Sequence, residues 1–289
     1  MATKVDVYQI VTDQMITALE EGTVPWQRPW SASGGMPRNL KTGKPYRGVN
    51  VVILACAGHA SPYWCTYKQA KAMGGQVRKG EKSTVIVFWK FLDSVDKETG
   101  KKRTVPLLRY YRVFNVSQCE GLEGRLPDDE TADDSTPEVD PIDAADAIVD
   151  GWSDSPAILT DQSAAWYRPS TDEVGMPDRQ SFTGSGEYYS TLFHELTHST
   201  GHKDRLAREG LTSGVAAFGS QTYSKEELVA EMGAAFMCSL AGIEGVFDNS
   251  AAYVCSWIKK LKSDPKLIVQ AGGQAQKAVD MITGTTFEK

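Results

Sequence analysis

The sequence has no long apolar run and no paired cysteine motif. None of its stretches approaches the roughly 18 consecutive apolar residues of a membrane-spanning helix. Its first residues, MATKVDVYQIVTDQM, contain no apolar block followed by small residues, so we predict neither a membrane partner nor a secretory signal. The five cysteines are scattered and include no CxxC pair, which favours free thiols over a disulfide framework. We therefore expect a globular protein in the reducing cytoplasm.

Charge is distributed unevenly along the 289 residues. Residues 1–115 contain 18 Lys and Arg against 8 Asp and Glu, whereas the rest of the chain contains 13 against 29. The acidic stretch PDDETADDSTPE has the composition of a disordered linker. We therefore predict a first domain over 1–126, an acidic linker over 127–139 and a second domain over 140–289.

The apolar pattern of the first domain predicts helix and strand together. Apolar residues at helical spacing predict a helix over 3–22, and the Pro- and Gly-rich segment 23–50 predicts a long ordered loop. The apolar run 48–58 fits either a short buried helix or a strand. Segments 84–93 and 104–116 are β-branched and aromatic and flank a polar turn, so they predict a small antiparallel sheet.

The second domain is predicted to be mostly helical. Asp140 begins a capped helix, and residues 172–182 could form a short edge strand in which Pro177 is tolerated. Three helical stretches follow, at 186–200, 224–241 and 250–262. The fold class is thus α+β with two domains: an α+β domain with a small antiparallel sheet, then a mostly helical domain with a short edge strand.

The segment HELTH predicts a metal site. His194 and His198 are four residues apart, which places both imidazoles on one face of a helix, one turn apart, within reach of one ion. Glu195 then lies beside the ion and is placed to take a proton from an attacking water. A purely structural zinc site would need four protein ligands and would have no use for the inner Glu195. The pattern is typical of a zinc metallopeptidase.

The sequence just after this motif offers His202 as the one alternative for the third ligand. Asp204 occupies the position where a metzincin would have its third histidine. His202 lies closer, but Gly201 is expected to end the helix before it, so we place His202 beside or at the rim of the site. His202 and Tyr223 are the two candidates for stabilising an oxyanion, although either could serve only packing or capping.

The stretch YSKEELVAEMGAAF predicts a second helix that completes the site. Glu227 and Glu231 are spaced i, i+4 on one face of that helix, so we assign Glu227 to the metal. Glu231 would accept the hydrogen bond from the free N–H of a ligand histidine. Small residues 233–235 would let the two helices approach closely. The alternative is a solvated charge cluster that also includes Glu226.

The first domain combines tryptophans with basic residues. Four of the seven tryptophans lie in the first 90 residues, and cations interleave with them. Cations follow phosphates while aromatic faces stack on unpaired bases, a combination that suits single-stranded DNA. The alternative is that the tryptophans fill the core and the charges are merely solvated, and composition alone does not decide. The candidate DNA contacts are Trp26, Arg28, Trp30, Arg38, Lys41, Lys44, Arg47, Trp64, Lys68, Arg78, Lys79 and Lys82.

Longer motifs resemble a known family. VPWQRPW, PYRGVN, WCTYKQAKAMGGQVRKGEKS and VIVFWKF resemble the N-terminal domain of ArdC-family antirestriction proteins. YYSTLFHELTHSTGH and KEELVAEMGAAF resemble the zincin-like metallopeptidase domain that accompanies it, so the match covers nearly the whole chain except the acidic linker. The resemblance implies a plasmid- or phage-borne protein that binds single-stranded DNA and protects entering DNA, as in conjugation, from host restriction. It also implies a metal bound by His194, His198 and the Glu of EELVAE.

The remaining expectations concern the cofactor, the substrate and two alternative functions. Zn²⁺ is the expected cofactor, with Mn²⁺ or Co²⁺ as alternatives, and a protein substrate such as a restriction-system component is a further candidate partner. One rival is a non-catalytic DNA-binding protein whose metal domain only scaffolds, which the intact Glu195 disfavours. The other is a general cytoplasmic metalloprotease whose basic domain recruits acidic partners, which the concentrated tryptophans disfavour.

Overall fold

The computed structural model describes residues 6–26, 35–95, 102–126, 140–212, 221–243 and 250–286. Within these ranges the chain has the predicted two-domain α+β fold, with helices predominating in the second half. The predicted linker 127–139 lies outside the described residues. No helix in the described part of the chain is long and apolar enough to cross a membrane.

The first helix forms where its apolar face predicts it. Helix α1 spans Val7–Glu20, and the carboxylate of Asp6 caps it by accepting hydrogen bonds from the first backbone N–H groups. Val11, Met15 and Leu19 recur at helical spacing and are buried. That face packs against helices of the second half, described below.

The ambiguous run 48–58 is a helix. Helix α2 spans Val49–Cys56, and its Asn50 side chain accepts from the backbone N–H of Val87 at 2.8 Å and donates to the carbonyl of Val87 at 2.7 Å. Asn50 therefore completes the outer edge of the strand that carries Val87, which would otherwise expose unpaired backbone groups. Between α2 and that strand lie β2 (Tyr63–Cys65), α3 (Tyr67–Ala72) and β3 (Gln76–Val77).

Two long strands form most of the first sheet. Strands β4 (Thr84–Val95) and β5 (Lys102–Asn115) pair antiparallel along their whole length, which confirms the two predicted strands. The sheet order is β1-β2-β5-β4, where β1 is Arg38–Asn39 and pairs parallel with β2. The other two pairings are antiparallel, and β3 pairs separately with β6 (Cys119–Glu120). We refer to β4 and β5 together as the ribbon.

The second half contains six helices and three short strands among its described residues. The elements are α4 (Pro141–Asp150), β7 (Ala157–Leu159), β8 (Trp166–Arg168), β9 (Glu173–Gly175), α5 (Ser185–Ser199), α6 (Glu209–Thr212), α7 (Gln221–Ala241), α8 (Ala251–Ser263) and α9 (Leu267–Ile282). The strand predicted within 172–182 is β9, but it is the central strand of the order β7-β9-β8, so the sheet edges are β7 and β8. Helix α9 is absent from the sequence prediction because adjacent glycines at 272 and 273 interrupt its pattern.

Small residues bring the elements close together. A Cβ on Gly233 of α7 would lie 2.5 Å from the Thr197 hydroxyl of α5, which confirms the predicted close approach of these helices. A Cβ on Gly272 of α9 would lie 2.7 Å from the backbone nitrogen of Val49 in α2. Helices α1 and α2 thus pack on α8 and α9, and one hydrophobic core includes residues of both halves.

Candidate metal centre

Helix α5 presents the two histidines of HELTH side by side. The Nε2 atoms of His194 and His198 lie 3.1 Å apart, as the i, i+4 spacing requires. Leu192, Phe193 and Leu196 are buried on the other side of the helix and fix it in the core. The orientation of the imidazoles is therefore set by packing on the opposite face.

Helix α7 brings Glu227 to the same point. Its two carboxylate oxygens lie 3.6 Å from Nε2 of His194 and 3.7 Å from Nε2 of His198. Among the described residues, these three side chains are the set whose donor atoms, all within 4.8 Å of one another, could hold a metal ion. Ligands about 2.1 Å from a tetrahedral ion lie about 3.4 Å from each other, so the observed separations fit a divalent metal.

The charge state of Glu227 also suits a metal. Burial raises the pKa of Glu227, but the hydrogen bond and charge of the neighbouring histidines and the hydrogen bond from Tyr223 outweigh burial and lower that pKa. The carboxylate is therefore ionised, which is the form that binds metal, whereas the two histidines must lose their charge to bind the same ion. Glu195 stands outside this set and borders the same cavity.

Glu226, and not the predicted Glu231, is the carboxylate that contacts the outer ring nitrogen of a histidine of this set. His198 Nδ1 lies 3.1 Å from Oε1 of Glu226, and because a carboxylate only accepts, Nδ1 carries the proton and Nε2 is left free to bind an ion. Arg208 donates to both oxygens of Glu226, at 2.7 and 2.9 Å. All three side chains are buried or nearly so.

Arg208 is a buried residue of this candidate site that the sequence pattern did not reveal. Besides Glu226 it donates to the Thr200 hydroxyl at 2.6 Å and to the Thr197 carbonyl at 2.7 Å, so it also binds the end of α5. Burial raises the pKa of Glu226, but hydrogen bonds and charges from His198 and Arg208 outweigh it and hold that pKa at about 2. The only sequence signal would have been a cation just beyond the motif, without a spacing rule to select it.

Glu231 has a different partner set. Its carboxylate accepts from Nε1 of Trp26 at 2.8 Å and from the hydroxyl of Tyr253. Trp26 is fully buried, with its ring edge-on to Trp257. Glu231 therefore joins the first half of the chain to α7, one turn beyond Glu227, rather than orienting a histidine.

The three candidate ligands open onto a cavity of about 1050 Å³. Its walls come from β8 and the residues after it, from α6 and from α7, and both His202 and Tyr223 border it. Burial, followed by the charge and hydrogen bond of Glu227, raises the pKa of Tyr223 to about 12, so its hydroxyl stays a donor. His202 Nδ1 accepts from the backbone of Asp204 at 3.3 Å, and His202 is not among the three converging residues.

The candidate DNA contacts separate into buried and exposed groups. Trp26 and Trp64 are buried, so neither ring can stack on a base, contrary to the prediction. Arg47 forms an ion pair with Asp280 of α9, which gives it a structural partner. Arg28 and Trp30 lie outside the described residues. Among the other candidates Arg38 is half-buried, and those exposed to solvent are Lys41, Lys44, Lys68, Arg78, Lys79 and Lys82.

Among the described residues of the first half, the exposed aromatic residues are Tyr67 of α3 and three residues of the ribbon. Trp89 is 44% exposed, and in β5 Tyr110 and Tyr111 are exposed between two exposed arginines, Arg109 and Arg112. Their composition predicts both strands only as parts of a sheet. The RYYR order was the available signal, since a strand buried on one face does not place four polar or amphipathic residues in a row.

Two family models match separate parts of the chain. Residues 5–114 match the N-terminal domain of anti-restriction factor ArdC, and residues 143–274 match a zincin-like metallopeptidase model. The crystal structure of metal-free antirestriction ArdC from plasmid R388 is similar to this chain, with 40% identity and a TM-score of 0.75. The match covers 99% of this chain and all of the R388 protein. The Mn(II)-bound structure of that protein matches with 39% identity and a TM-score of 0.74, over 98% of this chain and all of the other.

Two kinds of curated relative also match nearly the whole chain. A DNA primase TraC of Escherichia coli is 38% identical over 295 residues, which is 95% of this chain but only 27% of that protein. The chain therefore spans about a quarter of the length of this relative. The uncharacterized protein y4eC of Sinorhizobium fredii is 36% identical over 291 residues, covering 96% of this chain and 92% of y4eC.

Proposed function

The chain belongs to the ArdC family of antirestriction proteins, and from this membership we propose that it binds single-stranded DNA and protects incoming DNA from host restriction. The observation that carries the proposal is the match to R388 ArdC over the full length of both chains, at 40% identity. That match covers 99% of this chain and all of the other, so it concerns the two domains together and not a single shared module.

The first half supports the DNA-binding part of the proposal. Its 18 basic residues against 8 acidic ones favour a polyanionic partner. Exposed lysines such as Lys41, Lys44 and Lys68 can follow phosphates, and the ribbon supplies exposed aromatic rings. Protection in this proposal begins with capture of the DNA strand as it enters the cell.

We further propose that His194, His198 and Glu227 bind the metal. The Mn(II)-bound form of the R388 relative supports a divalent ion, and the His₂Glu set suits Zn²⁺ as well. When bound, such an ion supplies Lewis-acid chemistry toward a carbonyl group. Glu226 and Arg208 hold His198 in the tautomer that leaves Nε2 available.

Three other side chains bordering the cavity have roles in a peptidase reaction. Glu195 takes the proton of the attacking water and returns it to the leaving amine. Tyr223 donates its hydroxyl proton in a hydrogen bond to the oxyanion that develops at the scissile carbonyl. His202 borders the same space and is the alternative donor. The substrate in this proposal is a protein, such as a component of a restriction system.

Transfer of unmodified DNA into a restricting host tests the proposal. Cells that express the wild-type chain should receive more intact DNA than cells with an empty vector, and absence of protection would refute the antirestriction function. Glu195→Gln should keep the fold and the metal but lose peptide hydrolysis. Full protection by Glu195→Gln would assign the metal centre to scaffolding and leave the DNA-binding role in place.

A further inference from the structure

The two faces of the ribbon carry different residues. Side chains alternate along a strand, and residues directly opposite each other in the register share a face. Phe88 is opposite Arg109, and Ile86 is opposite Tyr111. These four side chains therefore lie on one face, whereas Tyr110, opposite Val87, points to the other.

The face with Tyr111 changes from buried to exposed along its length. Ile86 packs with Trp64 in a small hydrophobic cluster at the base of the ribbon. Directly opposite Ile86, Tyr111 is 54% exposed, and its ring stacks on Phe88, one step further along this face, with centroids 4.5 Å apart and planes 12° apart. Phe88 thus fixes the inner surface of the Tyr111 ring and leaves the outer part accessible.

The charge of this surface is positive. Arg109, opposite Phe88, is exposed and supplies this charge. Arg112 is also exposed, but it lies on the other face of the ribbon. The structure describes the ribbon's side chains at residues 84–89 and 107–115. These residues include no Asp or Glu. An exposed aromatic ring beside a cation suits a base and its phosphate.

We propose that the Tyr111 face of the ribbon is a stacking platform for a base of single-stranded DNA, with Arg109 contacting the adjacent phosphate. The proposal rests on the proposed DNA-binding function and identifies where in the first half it occurs. A ring already held by Phe88 loses little side-chain freedom when a base stacks on it, so the platform is preorganised. The buried rings of Trp26 and Trp64 cannot take this role.

Binding of full-length variants to a fluorescent oligo(dT) tests the platform. Tyr111→Ala should weaken binding by at least about five-fold, and Tyr111→Phe should bind like the wild type because stacking needs the ring and not the hydroxyl. Tyr110→Ala is the matched control, since it removes the same side chain from the opposite face, and its affinity should change less than about two-fold.

Salt titrations of the same variants test the arginine. Arg109→Ala should lower the slope of log K against log salt by about 0.7, as for the loss of one phosphate contact on a single strand. Tyr111→Ala should leave that slope unchanged, because stacking releases no counterions. If circular dichroism shows that Tyr111→Ala does not fold, the salt slopes of Arg109→Ala and Arg112→Ala are compared instead. A lower slope in Arg109→Ala alone supports the platform, and equal slopes overturn it.

The outcomes separate the two proposals. Wild-type binding with Tyr111→Ala and Arg109→Ala both unchanged would overturn the platform and keep single-strand binding elsewhere on the protein. Equal affinity for duplex and single strand would also overturn the platform, since paired bases offer no face to stack on. A wild-type protein that binds no oligo(dT) at low salt would refute the DNA-binding function itself.

Discussion

The metal centre and the ribbon are held in place in opposite ways. His198, Glu226 and Arg208 are buried and each is hydrogen-bonded to the next, so the centre is part of the core. Tyr111 is more than half exposed and is positioned by the single ring of Phe88. A buried charged group that loses its partner costs far more than an exposed ring that loses a neighbour. Changes at the centre should therefore disturb stability and function together, whereas changes on the ribbon should affect binding alone.

The largest effect is expected when Arg208 is removed. Arg208→Ala leaves the buried Glu226 without its main counter-charge, so the free energy of unfolding should fall by about 3–5 kcal/mol. Metal affinity should fall about 10- to 100-fold, because His198 loses its orienting partner. Denaturant titration and calorimetry measure the two quantities.

Arg168 provides the control for this substitution. It borders the same cavity, but its side chain is 52% exposed and lies 3.7 Å from Glu173. Arg168→Ala should change stability by less than about 1 kcal/mol. Similar losses in both variants would contradict the distinction drawn between buried and exposed groups.

Trp26 belongs to the first domain but is held in the core. Trp26→Ala removes a fully buried side chain and should cost about 3–5 kcal/mol in unfolding free energy. Affinity for oligo(dT), measured below the melting temperature, should stay near that of the wild type. Tyr111→Ala should do the reverse, with stability within about 1 kcal/mol of the wild type and reduced DNA affinity. Loss of affinity in a folded Trp26→Ala protein would restore the original stacking assignment.

The smallest effects are expected for Glu227 and Glu231, which lie one turn apart on α7 and should differ in what their loss changes. Glu227→Ala should weaken metal binding about 10-fold or more and change the stability of the metal-free protein little, because its side chain is a quarter exposed. Glu231→Ala should keep the metal but lose about 1–3 kcal/mol, since Trp26 and Tyr253 lose a buried acceptor. Metal analysis and thermal unfolding of both variants check this pair. Full metal occupancy in Glu227→Ala, with loss in Glu231→Ala, would reverse the assignment.

The sequence predicts features that depend on local spacing. The i, i+4 rule alone brings His194 and His198 together, because a helix imposes that geometry wherever it packs. The strands of the ribbon follow from β-branched and aromatic composition in the same way. Glu227 required one further assumption, that a second helix approaches the first closely, and Gly233 makes that approach possible.

Features that depend on tertiary packing could not be predicted. Glu226 and Glu231 lie on the same helix, and the angle at which α7 crosses α5 decides which of them reaches His198. Arg208 comes from the segment between those helices, where no periodicity applies. A tryptophan in a Pro-rich loop has the same local sequence whether its ring enters the core, as Trp26 does, or stays outside it.

The packing of α1 on the last helices has a consequence for synthesis on the ribosome. The hydroxyl of Thr12 in α1 donates to the carbonyl of Pro265, 253 residues later, beside the buried face of Val11, Met15 and Leu19. Elements α2 and β5 cover part of α1, but the part that packs on α8 and α9 has no native cover until those helices have left the exit tunnel. Contacts of such long sequence separation form slowly, and at about 5–20 residues per second this part of the apolar stripe stays exposed for roughly 10–50 seconds. Transiently exposed apolar surface of this kind is what chaperones bind on nascent chains.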